Sequence, residues 1–183
     1  EGWNPGDVFA LLAEPDGSAR PDWQTALQAS LGGTCTSSLH ITCQKVTPAD
    51  GSQLDEIRRI FVAHLRPIGP VALEGRRVEV WYSTFRETGI LKCLVPVSEA
   101  LERAMNAVNA DLDGIGAERH YHIEPIPDHV PVTVLEGLDV DTELSETDHR
   151  TVQRTLFTAT QLIISRHTER EQFEIIDRRS LGD

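Results

Sequence analysis

Hydrophobic positions along the chain switch between two periods, and the switches lay out its elements. Val8-Phe9-Ala10-Leu11-Leu12-Ala13 is a continuous apolar run closed by Pro15-Asp16-Gly17, the pattern of a buried strand and a turn. From Asp22 the period lengthens: Trp23, Ala26, Leu27 and Ser30 share one helical face, which Gly32-Gly33 ends. Period two returns at Ser38-Leu39-His40-Ile41-Thr42-Cys43, which predicts a strand. A second helix carries Leu54, Ile57, Phe61 and Leu65, opened by a capping box at Ser52-Gln53-Leu54-Asp55 and stopped by Pro67-Ile68-Gly69-Pro70.

Residues 77–85 and 90–95 predict two strands joined by a turn around Glu87-Thr88-Gly89. Ser98 caps a third helix with the stripe Leu101, Met105, Val108 and Leu112, closed by Gly114. Asp128-His129-Val130-Pro131-Val132-Thr133-Val134-Leu135 is the next strand, and Ser145 caps a last helix through Leu156. Two strands, 160–165 and 173–177, close the chain around the charged turn Glu169-Arg170-Glu171. Strand pairs adjoining in sequence predict an α+β fold rather than a doubly wound sheet. No linker divides the 183 residues, so one domain over 1–183 is expected.

Composition narrows the partners. The net charge is −12, whereas a protein gripping long nucleic acid needs a basic surface to neutralise phosphates. Large RNA or DNA held tightly is therefore disfavoured, and a small nucleotide in a local basic pocket is not. No stretch approaches the roughly 18 apolar residues of a membrane span. The opening Glu1-Gly2-Trp3-Asn4-Pro5-Gly6 is polar, and no signal peptide is read there. Cys35, Cys43 and Cys93 have no metal or disulfide spacing, which predicts free thiols in a reducing compartment, a cytoplasmic protein.

Two segments carry the candidate chemistry. In the first, His40 and Thr42 point to one face of their strand while Ile41 and Cys43 point into a core. In the second, His129 and Thr133 share a face. Thr133 follows Thr42 by 91 positions, about half the chain, which hints at an internal duplication. Pairing two such strands would bring two imidazoles and two hydroxyls to one cleft, a set suited to acid–base work on a phosphodiester.

These motifs, with their order and spacing, resemble the two-histidine (2H) phosphoesterase superfamily, the LigT-like and cyclic phosphodiesterase group. The resemblance takes in Val8–Ala13 followed by Glu14-Pro15-Asp16, the His40-Ile41-Thr42 strand, the helix opened by Ser98, and the closing segments from Gln161 to His167 and from Phe173 to Arg178. It implies a bilobal fold, two pseudo-symmetric antiparallel sheets facing a central groove with helices outside. It implies a metal-independent reaction with one His-x-Thr from each lobe and no cofactor. His40 and Thr42 match the first motif. Aligned on Thr133, the second histidine falls on Pro131, and His129 stands two residues earlier, displaced by about 6–7 Å unless a bulge near Pro131 shortens the gap.

The resulting expectation is a monomeric phosphodiesterase acting on a 2′,3′-cyclic phosphate, a 2′–5′ linkage or a cyclic nucleotide, in RNA processing or nucleotide signalling. Catalysis is assigned to His40, Thr42, His129 and Thr133, and substrate binding to Trp81, Tyr82, Arg86 and His122, with Phe85, Arg77 and Lys92 as further candidates. Two alternatives stay open: a catalytically degenerate nucleotide-binding module, and a metal-dependent enzyme using His120, His122 and His129. His64, His149 and His167 are read as solvated.

Overall fold

The computed structural model describes residues 4–84, 86–122, 125–169 and 172–182. Phe85, the first three residues, and Arg170 and Glu171 of the expected charged turn lie outside the described residues. The elements run β1 (Val8–Ala13), α1 (Asp22–Leu31), β2 (Thr34–Cys35), β3 (His40–Thr47), α2 (Gly51–Leu65), a 3-10 turn (Arg66–Ile68) and β4 (Val71–Glu74). They continue as β5 (Arg77–Ser83), β6 (Thr88–Pro96), α3 (Glu99–Gly114), β7 (Glu118–Arg119), β8 (His129–Leu138), α4 (Glu146–Thr151), β9 (Thr155–Ala159), β10 (Gln161–His167) and β11 (Phe173–Ser180). All pairing among the described residues is antiparallel, so the fold is α+β as expected.

Three details differ from the sequence pattern. The side chain of Asp50, not Ser52, caps α2, accepting from the Gln53 backbone at 2.8 Å. Ser145 does cap α4 in a capping box with Asp148, but the helix stops at Thr151. The expected stretch to Leu156 is instead β9, which pairs with β4 in a small sheet of its own. Val152 and Leu156 are spaced like a helical stripe, yet both are buried as anchors of the turn and strand.

Two larger sheets make the lobes: β11-β10-β1-β3-β7 and β2-β8-β6-β5. Strands β3 and β8 lie next to each other where the lobes meet. Apolar residues on one face of each sheet are buried, Ile41 and Cys43 on β3, Val130 and Val132 on β8. Helices cover these faces: α2 and α3 on the first sheet, α1 and α4 on the second. The opposite faces turn toward the groove.

The half-chain spacing becomes legible here. Strand, helix, short strand, long strand, helix occurs once as β1-α1-β2-β3-α2 and again as β6-α3-β7-β8-α4. Each half exchanges its middle section with the other lobe. Helix α1 and β2 lie on β8, while α3 and β7 lie with α2 and β3. Gly33 makes the first exchange possible: at φ 77°, just past the Gly32 cap of α1, it runs so close to β8 that a Cβ would meet the Glu136 carbonyl at 2.5 Å.

Candidate active site

Each motif threonine is followed by a β-bulge. In β3, Leu11 of β1 opposes Thr42 and Ala10 opposes Gln44, so Cys43 is the extra residue. In β8, Lys92 of β6 opposes Thr133 and Leu91 opposes Leu135, so Val134 is the extra residue. Thr42-Cys43 and Thr133-Val134 are thus equivalent places in the two halves. The bulge sought near Pro131 is absent, because pairing from His129 to Thr133 is regular.

Directly opposed residues share a face, so each sheet presents rows to the groove. On the first sheet one row is His40, Ala13, Gln161 and another is Thr42, Leu11, Ile163. On the second sheet the rows are Pro131, Leu94, Arg77 and Thr133, Lys92, Glu79. Where Thr42 has an aliphatic neighbour, Thr133 has a lysine.

His40 is half-buried, its Nδ1 3.4 Å from the Ser38 carbonyl oxygen. Burial pushes its imidazole below the ordinary histidine pKa, and the Lys92 charge across the groove adds to the depression. A neutral ring at neutral pH is the form that accepts a proton. Lys92 donates to Thr133 Oγ1 at 2.6 Å. Its Nζ also lies 5.6 Å from the centre of the Trp81 ring. Burial draws its ammonium below the usual lysine value, against the opposing pull of Glu136. Lys92 thus sits against Thr133 on its own sheet and its charge is felt by His40 on the other, where Thr42 shares the His40 face. Trp81 lies on the Lys92 face, its indole nitrogen donating to Glu79 at 2.9 Å.

The other candidates stand apart. His129 opens β8 opposite Pro96, on the groove face but four residues from Thr133, about 13 Å along a strand. Tyr82 is 58% exposed and, next to Trp81 in a strand, points to the opposite face. Arg86 is ion-paired with Glu136 at the rim. His122, at φ 52°, lies along the edge of β3 by the Cys43 carbonyl, its pKa lowered by burial and by the Arg119 charge. His120 is engaged by Thr47, which also donates to the buried Asp7 at 2.6 Å. Among the described residues no three His, Cys, Asp or Glu side chains converge as a metal site, so His120, His122 and His129 do not form the cluster that the metal alternative requires.

The remaining histidines are less solvated than their sequence contexts imply. His167 is only 3% exposed, packed against Phe173 at the end of β10. His64 pairs with Asp111 at 2.6 Å, and His149 Nδ1 accepts from the Val78 backbone at 3.3 Å. Gln161 was not singled out by sequence, yet its Oε1 is buried without a hydrogen-bond partner among the described residues, in the row that begins with His40. Only its alternation within β10 could have flagged it.

Comparison with solved structures bears on the fold. Escherichia coli LigT, in a crystal structure complexed with 3′-AMP, superposes with a TM-score of 0.64 at 11% identity, covering 98% of this chain and 100% of that one. The chain has the 2H phosphoesterase fold. A phosphoesterase crystal structure matches this 2H fold with a TM-score of 0.57 at 12% identity, over 98% and 100% of the two chains. Kluyveromyces marxianus Usb1 matches with a TM-score of 0.53 at 15% identity, over 94% and 98%. No family model and no curated protein sequence matches the chain.

Proposed function

We propose that the chain, as one bilobal domain over residues 1–183, is a metal-independent phosphodiesterase acting on a small nucleotide phosphodiester. What supports this reading is His40, drawn by burial toward its neutral form and near enough to feel the Lys92 charge, with Thr42 on its own strand face and Thr133 bonded to Lys92. His40 takes a proton from water or a ribose hydroxyl as that oxygen attacks phosphorus. Thr42 and Thr133 donate to the non-bridging phosphate oxygens, where charge grows in the transition state. Thr133 is suited to this because its oxygen already accepts from Lys92, which leaves its own hydrogen to donate.

The substrate class we favour is a 2′,3′-cyclic phosphate, a 2′–5′ linkage or a cyclic nucleotide. Supporting it are the solved structures of LigT with 3′-AMP and of Usb1 with uridine monophosphate, and the acidic charge of this chain. Trp81 offers a face on which a base can stack, and Gln161 an amide to read its edge. No cofactor is assigned. The described cysteines are all free and buried, in keeping with a cytoplasmic protein, and we take it as a monomer; no helix among the described residues is long and apolar enough to cross a membrane. Pro131 favours one rival, a nucleotide-binding module that no longer cuts.

Turnover of 2′,3′-cyclic nucleotides, 2′–5′ oligoadenylates and cyclic dinucleotides in EDTA tests the proposal. Cleavage by the wild type that falls at least about 100-fold in His40→Ala, the scale of acid–base catalysis, is expected. Binding without turnover of any of them would establish the rival.

A further inference from the structure

The second motif holds Pro131 rather than a histidine, but its face carries a second nitrogen, that of Lys92. We propose that Lys92 is the proton donor to the departing oxygen, in the role that Pro131 leaves without an imidazole. This rests on the phosphodiesterase reading above and adds the identity of its second catalytic group.

Register places it. Regular pairing from Pro96 and His129 to Lys92 and Thr133 sets Lys92 on the same face as Pro131, directly beside the motif threonine. From there its charge reaches His40 on the other lobe. The competing candidates are further away or occupied. His129 is two residues beyond Pro131, Arg86 is tied to Glu136, and Arg77 leans on Glu79 at 3.4 Å. Lys92 has no such tie: among the described residues no carboxylate lies within ion-pair distance of it. A half-buried ammonium without a carboxylate partner is costly unless an anion completes it. A phosphodiester between the lobes is such an anion.

The groups facing Lys92 set its proton affinity. They are Glu79 on β5, Thr133 and Glu136 on β8 with Arg86 behind Glu136, and His40 on β3. Burial outweighs the acidic pull of Glu136 and lowers the ammonium pKa, which brings it nearer the range where a general acid is efficient. The step balances. Water attacks phosphorus as His40 takes its proton, the P–O bond to the ribose oxygen breaks, and that oxygen's electron pair takes a proton from Lys92. The imidazolium then returns one proton to the neutral amine through solvent, and the net change is addition of one water.

Leaving-group dependence separates a proton donor from a charge contact. The experiment compares wild type, Lys92→Met and Lys92→Arg on a 2′,3′-cyclic nucleotide and on thymidine 5′-p-nitrophenyl phosphate, whose phenolate departs without a proton. Arginine keeps the charge but does not give up its proton. Both variants are expected to lose at least about 100-fold on the cyclic substrate and less than about tenfold on the aryl ester. Retained aryl cleavage also shows that the variants are folded. On the cyclic substrate, the alkaline limb of the pH–rate profile disappears in Lys92→Met. Equal losses on both substrates, full activity in Lys92→Arg, or an alkaline limb that survives Lys92→Met and vanishes in His129→Ala would overturn the assignment alone. A wild type that cleaves neither these two substrates nor 2′–5′ oligoadenylates nor cyclic dinucleotides would overturn the phosphodiesterase reading and the donor role with it.

Discussion

The two halves of this molecule repeat the same backbone and spend it differently. Both place a threonine just before a bulge, on the inner strand of a lobe, facing the groove. In the first half the nitrogen comes from the motif itself, His40, and the residue opposite the threonine is the aliphatic Leu11. In the second half the motif position is Pro131, and the nitrogen comes from the opposite residue, Lys92. What a site requires is a group at a point in space, and two neighbouring strands can each supply that point. Proline is tolerable at 131 because β2 pairs with β8 only at Leu135 and Glu136, which leaves position 131 without a partner strand on that side. In the proposed mechanism a side chain from β6 takes the histidine's part.

Changes that attack this comparison can be ordered by size. Losing the nitrogen of the first half should cost most: His40→Ala reduces kcat/KM at least about 100-fold on any substrate cleaved. Next come the two hydroxyls. Thr42→Val and Thr133→Val should each reduce kcat by about 10- to 100-fold with little change in KM, since their bonds strengthen as charge develops. Unequal effects would show that the halves do not hold the phosphate symmetrically. A sharper comparison rebuilds the motif: Pro131→His in the Lys92→Met background should recover at least about tenfold of the lost rate by restoring an imidazole. His129→Ala should change kcat/KM by less than about threefold, because its strand position lies beyond the reacting atoms.

The smallest effect concerns stability. The pKa values of His40 and His122 are lowered in the folded state, so the unfolded chain binds protons more readily in the window below 6.5. Their contribution is fully present above pH 6.5 and is lost as pH falls through and below that value. The thermal midpoint should therefore drop between pH 7 and pH 5, and drop less in His40→Ala. An equal drop in both proteins would place the titrating group elsewhere.

Much of this was legible in the chain. Strong periodicity fixed β1, α1, α2 and α3, and the alternation of His40, Ile41, Thr42 and Cys43 placed the first motif on its correct face. Elements of two residues, β2 and β7, carry no period to detect, and β4 and β9 are held by each other rather than by any local pattern. Trp81 and Tyr82 look equivalent as aromatics, yet strand alternation sends them to opposite faces. Lys92 was legible only as a basic residue. Its partnership with Thr133 depends on the register of two strands about forty residues apart and on the bulge that follows, neither of which a local pattern encodes.

The pH dependence of wild-type kcat/KM on a 2′,3′-cyclic nucleotide tests the pairing of a histidine with a lysine most directly. The account predicts an acid limb below pH 6.5, set by His40, then a broad plateau. An alkaline limb should follow, set by Lys92, beneath the ordinary lysine value of 10.5. A narrow bell whose falling limb lies in the ordinary histidine range, near pH 7, would mean that a second imidazole does the work and would contradict it.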